Sequence, residues 1–169
     1  FHDETVETTS ADGLSITTRK DLTGDGNFDV ITTDVTVLNG SAVNPTDTYI
    51  TRTVTDRNND NSLRSQTITT TTLDRRHVSR TTDDNGDGHT DQTVIADLLD
   101  DGTVVDTVSQ FNSDGSLKAK SVTTTIATGL SVTTQADIDG DGDYDLTKTD
   151  RTVLKTDGSR KVLVTDGNI

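Results

Sequence analysis

Three short strings of this sequence place oxygen-bearing side chains at one fixed spacing. They are Asp21-Leu-Thr-Gly-Asp-Gly-Asn-Phe-Asp29, Asp83-Asp-Asn-Gly-Asp-Gly-His-Thr-Asp91 and Asp137-Ile-Asp-Gly-Asp-Gly-Asp-Tyr-Asp145. Hard cations such as Ca²⁺ take six to eight oxygen ligands, carboxylates and carbonyls above all, in a pliable cage. A nine-residue loop supplies them when the side chains at positions 1, 3, 5 and 9 turn inward and position 7 gives its carbonyl. A glycine at position 6 allows the tight turn. On that pattern the first loop offers Asp21, Thr23, Asp25 and Asp29, with the carbonyl of Asn27. The second offers Asp83, Asn85, Asp87 and Asp91, with the carbonyl of His89. The third offers Asp137, Asp139, Asp141 and Asp145, with the carbonyl of Asp143. The spacing therefore predicts about three calcium sites. The third should bind most tightly, because all four of its inward side chains are carboxylates.

Position 12 holds Thr32, Val94 or Lys148, where an EF-hand has a bidentate Glu, and the flanks read as strands. Asp and Gly also make solvated turns without any metal. Three strings in register, keeping the 1-3-5-9 oxygen pattern while their neighbours drift, favour the metal reading. A degenerate relative, Asp56-Arg-Asn-Asn-Asp60-Asn61, has Arg64 at position 9 and reads as a plain turn. No other chemistry stands out. His2, His77 and His89 match no metal or catalytic spacing. Paired carboxylates occur only inside the loops, and a cation-bound carboxylate is held ionised and makes a poor general acid. The expectation is that the chain is not an enzyme.

The elements that must position these loops are strands. Of the 29 acidic residues 27 are Asp and only Glu4 and Glu7 are Glu, while Thr numbers 36. Asp favours turns over helices, and β-branched Thr suits a strand with either face wet. The loops start at Asp21, Asp83 and Asp137, and their flanks align. Thr5-Val6 matches Thr67-Ile68 and Ser121-Val122, and Gly13 to Thr18 matches Gly129 to Thr134. Downstream, Thr53 to Asp56 matches Thr107 to Gln110 and Leu163 to Asp166. A unit of about 56 residues accounts for the spacings. The reading is three tandem repeats over 1–66, 67–120 and 121–169, the last truncated. The first carries a lengthened turn over 39–47, and the second is two residues shorter near Gly102.

Within a unit, Leu130, Val132, Thr134 and Ala136 share one face of a strand. Asp101-Gly102, Asp114-Gly115 and Asp157-Gly158 are strong hairpin signals. About four strands per unit follow. The expected fold is all-β: an elongated antiparallel meander of about twelve strands with calcium-binding hairpin loops. Only 28% of the residues are hydrophobic, with no Cys, Met or Trp, so one thick core is not expected. Register must then be fixed by turns and loops more than by hydrophobic pattern.

A net charge of −14 without a basic stripe argues against nucleic acid and anionic membrane surfaces. No stretch approaches the roughly 18 apolar residues of a membrane span. Lacking Cys, the chain has neither a disulfide framework nor zinc–thiolate sites. Without an initiator Met or a signal peptide, it reads as part of something larger.

The run Asp137 to Leu146 resembles the calcium-binding hairpin loop of FG-GAP and VCBS-type repeats, which implies Asp ligation of Ca²⁺ in each loop. The Phe-Gly and Gly-Ala-Pro element of that family is absent, and three units do not close a propeller. Over nearly the whole chain, the Thr-rich strands, the Asp114 to Leu117 turn and the Gly-Asp-Gly loops resemble tandem repeats of large calcium-binding proteins. Those proteins are exported by type I secretion in proteobacteria, often as adhesins or hemolysin-type proteins. The resemblance implies an extracellular or cell-surface structural segment, stiffened by calcium, that meets neighbouring copies of the repeat and a surface or glycan target. Two other readings stand beside it. Wet, flat-edged strands invite assembly into a filament by strand addition. A carbohydrate-binding β domain is the third, although Phe1, Phe28, Tyr49, Phe111 and Tyr144 are the only aromatics available for stacking.

Overall fold

In a computed structural model, which describes residues 2–41 and 44–168, the chain forms one all-β sheet of twelve strands and no helix among the described residues. The strands are β1 (Glu4–Thr9), β2 (Ser15–Asp21), β3 (Val30–Ser41), β4 (Asn44–Asn58), β5 (Leu63–Thr72) and β6 (His77–Asp83). They continue as β7 (Gln92–Leu98), β8 (Val104–Phe111), β9 (Leu117–Thr125), β10 (Ser131–Asp137), β11 (Leu146–Leu154) and β12 (Arg160–Asn168). Each pairs antiparallel with its neighbours in sequence, so the spatial order is the chain order from β1 to β12. The expected meander is therefore the architecture of the chain.

Packing between strands stops at the adjacent partner: among the described residues no strand touches one beyond its immediate neighbour. The sheet is consequently open, and no second layer covers either face. A compact protein of this mass exposes roughly 8,100 Å², whereas this chain exposes 11102 Å². Among the described residues no hydrophobic side chain is buried. Order comes instead from the backbone ladder, from cross-strand pairs and from the connections. Thr123 faces Thr134 and Thr133 faces Thr149, with hydroxyl oxygens 3.1 and 3.2 Å apart. Each such pair contributes about 0.2–1 kcal/mol. Across β3 and β4 the Arg52 guanidinium donates to both oxygens of Asp34, the shortest contact being 2.6 Å, and holds that carboxyl below the usual range.

The tight turns share one construction. At Leu99–Thr103, Asn112–Ser116 and Lys155–Ser159 the first residue's N–H donates to the last residue's carbonyl, and a left-handed glycine follows the Asp. This is the three-residue hairpin loop in which a type I turn ends in one left-handed residue. The Asp carboxylate accepts the backbone N–H two residues on, and at Asp114 and Asp157 it also accepts the Ser hydroxyl there. The degenerate Asp56–Asn61 string makes the same turn at Asn58–Ser62, with Asn61 taking the left-handed slot at φ 68°. The lengthened turn expected over 39–47 is largely strand: β3 runs on to Ser41, β4 starts at Asn44, and the two pair with a register shift after Asn39. Residues 42 and 43 lie outside the described residues. The extra residues of the first unit thus lengthen a hairpin, where each added pair gains ladder hydrogen bonds.

Candidate metal centre

The three Asp-rich strings are the β2–β3, β6–β7 and β10–β11 connections. In an up-and-down meander these lie at the same end of the sheet, four strands apart, which at strand spacing is about 19 Å. The tight turns Asn58–Ser62 and Asn112–Ser116 occupy that end between them.

Each loop is built on the Asp that ends the preceding strand. Asp21, Asp83 and Asp137 are 3%, 9% and 1% exposed, and among the described residues only Thr55 and Ser109 are buried like them. Among the described residues, where no hydrophobic side chain is buried, Asp137 and Asp21 are the two most enclosed. One oxygen of each accepts the N–H of the position-4 glycine: Gly24, Gly86 and Gly140, all at 2.6 Å. The other accepts the N–H of the position-6 glycine: Gly26 at 2.8 Å, Gly88 at 2.9 Å and Gly142 at 3.0 Å. Burial pushes the Asp21 carboxyl up, but the bonds donated by Gly26, Gly24 and Thr23 outweigh it and leave the group below its ordinary value. Hydrogen bonds to the charged form stabilise that form.

Position 9 closes the loop. Asp29, Asp91 and Asp145 accept the position-2 N–H of Leu22, Asp84 and Ile138 at 2.7, 2.7 and 2.8 Å. Position 5 turns towards the chain beyond it: Asp25, Asp87 and Asp141 accept the N–H of Asn27, His89 and Asp143 at 2.8, 2.8 and 2.9 Å. Position 3 is where the loops differ. The Thr23 hydroxyl lies 3.4 Å from the Asp21 carboxylate, and the Asn85 amide donates to Asp91 at 3.1 Å. In the third loop the position is Asp139, whose Oδ1 accepts the Asp141 N–H at 3.3 Å.

As a result Asp137, Asp139 and Asp145 bring one carboxylate oxygen each to within 4.8 Å of one another. Of the four side chains expected to converge there, three do so, and Asp141 stands outside that set. In the first two loops a neutral donor takes the position-3 place, and no comparable trio of acids forms there among the described residues. Three carboxylates this close repel one another, and a hard divalent cation at their centre converts repulsion into ligation. Residues 27, 89 and 143 sit at the far turn of each loop, their N–H groups held by the preceding acid.

Sequence reasoning assigned a role to the position-6 glycine and missed the one at position 4. A Cβ on Gly86 would overlap the carbonyl oxygen of Leu63, and one on Gly140 that of Leu117. The second and third loops therefore rest against the first residues of β5 and β9, where both strands shift register. The signal was present, since every loop carries Gly at position 4 with positive φ (70°, 75° and 80°). No family model, curated protein or solved structure matches this chain.

Proposed function

We propose that the chain is a calcium-binding structural segment of a secreted bacterial surface or adhesive protein, its loops clamped by Ca²⁺ at one end of an open sheet. The observation that carries this reading is the convergence of Asp137, Asp139 and Asp145 within 4.8 Å on a loop whose backbone is already folded around Asp137. Oxygen-only donors favour Ca²⁺ over softer metals. A site with few protein carboxylates suits the dissociation constants of about 10⁻⁴–10⁻³ M that match extracellular calcium. Binding at ten times the dissociation constant would add about 1.4 kcal/mol to the stability of the folded chain. For a sheet with no buried hydrophobic core that is a material share.

Because the third loop rests on β9, a cation there would stiffen three strands together: β9, β10 and β11. Rigidity before export would be lower, where calcium is scarce, and higher outside. Isothermal calorimetry with Ca²⁺ and with Mg²⁺, with the thermal midpoint recorded in chelator and in 5 mM Ca²⁺, tests the proposal. Heat from a site that is weakened about tenfold in Asp139→Asn, together with a calcium-dependent rise in midpoint, is expected. No heat at millimolar calcium reduces the loops to ordinary turns.

A further inference from the structure

We propose that Asn85–Gly86 is a modification site: it deamidates when the second loop opens, the folded loop holds it shut, and the aspartate formed gives that loop the acid set of the third. The chain has two Asn-Gly steps, Asn39–Gly40 and Asn85–Gly86. Glycine leaves the backbone nitrogen that follows Asn open to close approach, because it carries no Cβ. The Gly86 nitrogen attacks Asn85 Cγ, the Cγ–Nδ2 bond breaks, and ammonia leaves with the Gly86 proton. Water then opens the succinimide ring. Cleavage at Cγ gives aspartate at position 85. Cleavage at the main-chain carbonyl gives isoaspartate, with the chain now routed through Cβ and Cγ. The sum in either case is asparagine plus water to acid plus ammonia.

The folded loop opposes each part of this step. The Gly86 N–H donates to the buried Asp83 carboxylate at 2.6 Å, so the attacking nitrogen is occupied. Asn85 Oδ1 accepts the Asp87 N–H at 2.8 Å, and Asn85 Nδ2 donates to Asp91 at 3.1 Å. Ring closure must break these bonds, because the Gly86 nitrogen gives up its proton, Cγ becomes tetrahedral and Nδ2 departs. The backbone of Gly86 has little room to move, since it rests against the Leu63 carbonyl where even a Cβ would overlap. Asn85 is exposed and Gly86 half-buried. Water therefore reaches the site, and the hydrogen bonds, not burial, form the lock. Deamidation proceeds from the opened loop, so position 85 records how long the chain has spent open.

What the product does rests on the calcium reading above. Asn85 satisfies Asp91 with its amide, whereas Asp139 of the third loop brings a carboxylate to within 4.8 Å of those of Asp137 and Asp145. Deamidation replaces the amide donor with an acceptor and a negative charge, so that Asp83, Asp91 and position 85 are all acidic. The loss of ammonia is not reversed, and a chain kept unfolded gains a carboxylate that one folded at once does not. Isoaspartate acts the other way. Its added main-chain methylene, in a loop seated on Leu63, prevents the loop from closing round Asp83.

Peptide mapping by mass spectrometry tests the lock. The chain is incubated in chelator at mildly alkaline pH, folded and in urea, and the conversion of amide to acid at position 85 is followed in both. Conversion slower by about tenfold or more in the folded chain is expected, because the loop must first open. Asp91→Ala, which removes one of the three hydrogen bonds, should speed the folded-state reaction severalfold and leave the rate in urea unchanged. Circular dichroism confirms that the variant is folded. Equal rates in the folded and unfolded chain, or no conversion at Asn85 in urea, overturn the proposal whatever calcium does. So does a folded Asp91→Ala chain that reacts no faster than the parent. Chain aged in urea is then separated by anion exchange into its aspartate and isoaspartate forms, refolded and titrated with Ca²⁺ in the calorimeter. The aspartate form should bind calcium at the second loop about tenfold more tightly than the parent. If the third loop binds calcium and the aspartate form gains nothing, the conversion is overturned. If no loop binds calcium, the calcium reading fails and the conversion with it, while the rates still decide the lock.

Discussion

Asn85 donates its side-chain amide to the Asp91 carboxylate across 3.1 Å, at the place where the third loop sets Asp139 beside Asp145 with both groups acidic. The two loops are otherwise superimposable in their hydrogen bonding through positions 1, 2, 4, 6 and 9. One position thus separates a loop that satisfies itself from one that gathers negative charge. Calcium affinity rises with the number of charged ligands. Asp139→Asn should weaken binding at the third loop about tenfold, and Asn85→Asp should strengthen it at the second by a similar factor. Calorimetry on both variants checks this. Unchanged isotherms would detach position 3 from metal binding.

The buried Asp137 makes a separate prediction that needs no metal. Its two oxygens accept the N–H groups of Gly140 and Gly142. Removing the acceptor breaks both bonds, one to a half-buried and one to an exposed N–H, at about 1–3 kcal/mol together. Asp137→Ala should lower stability by about that amount in chelator, where calcium contributes nothing. Urea unfolding in EDTA measures it. A variant as stable as the parent would mean that the carboxylate is held there for a ligand alone.

Much of this was legible in the residues. The 1-3-5-9 spacing located the three loops, and the Asp-Gly pairs located the hairpins, because both depend on local backbone chemistry that short strings encode. Two things were not. Position 5 was counted with positions 1, 3 and 9, yet Asp141 turns to the N–H of Asp143, a choice that depends on three-dimensional loop closure. The absence of any covering layer was also hidden, since Thr on both faces fits a half-buried sheet as well as an open one. The run from Asn39 to Asp47 reads as a turn because Asn, Gly and Pro punctuate it. The pairing of Ser41 with Asn44 and of Asn39 with Tyr49 is a tertiary outcome that overrides those local signals.

The carboxylates of the tight turns make a prediction about pH. Ser116 donates from its hydroxyl and its backbone to Asp114, and Ser159 does the same to Asp157, holding both carboxyls below their ordinary value of 3.8. A carboxyl with a depressed folded pKa stabilises the fold fully above its unfolded value, and that contribution is lost as pH falls through the folded value. The double variant Asp114→Asn with Asp157→Asn keeps a turn acceptor but loses the charge. Its thermal midpoint in chelator should lie below the parent's at pH 7, with the gap constant down to about pH 5 and closing below about pH 3. Comparing the two chains cancels the relief of overall repulsion that acid brings to both. A gap that widens on acidification would contradict the hydrogen-bonding account.

Arg75 occupies the left-handed slot of the Thr72–His77 turn at φ 58°, where the turns at Gly102, Gly115 and Gly158 use glycine. Its side chain is exposed. A residue with a Cβ is strained there by about 1 kcal/mol. Arg75→Gly should therefore leave stability unchanged or raise it by up to about 1 kcal/mol, despite the greater unfolded-state entropy of glycine. Urea midpoints measure this, and a loss above about 1 kcal/mol would show that the Arg75 side chain contributes a contact of its own.

The contact between the third loop and β9 is tested by two glycines that look alike in sequence. Gly140 and Gly142 both have positive φ, 80° and 98°, and both donate to Asp137. A Cβ on Gly142 meets nothing within 4 Å, while one on Gly140 overlaps the Leu117 carbonyl and crowds Lys118. Gly142→Ala should cost only the left-handed strain, about 1–2 kcal/mol. Gly140→Ala should cost that plus displacement of the loop from β9, about 3 kcal/mol in all. If calcium stiffens β9 through this contact, Gly140→Ala should also abolish the calcium-dependent slowing of amide exchange in β9 while sparing that in β10. Hydrogen exchange in chelator and in calcium resolves the two strands. Equal costs for the two variants, with exchange in β9 still responsive to calcium, would show that the loop acts on its own hairpin and not on the neighbouring strand.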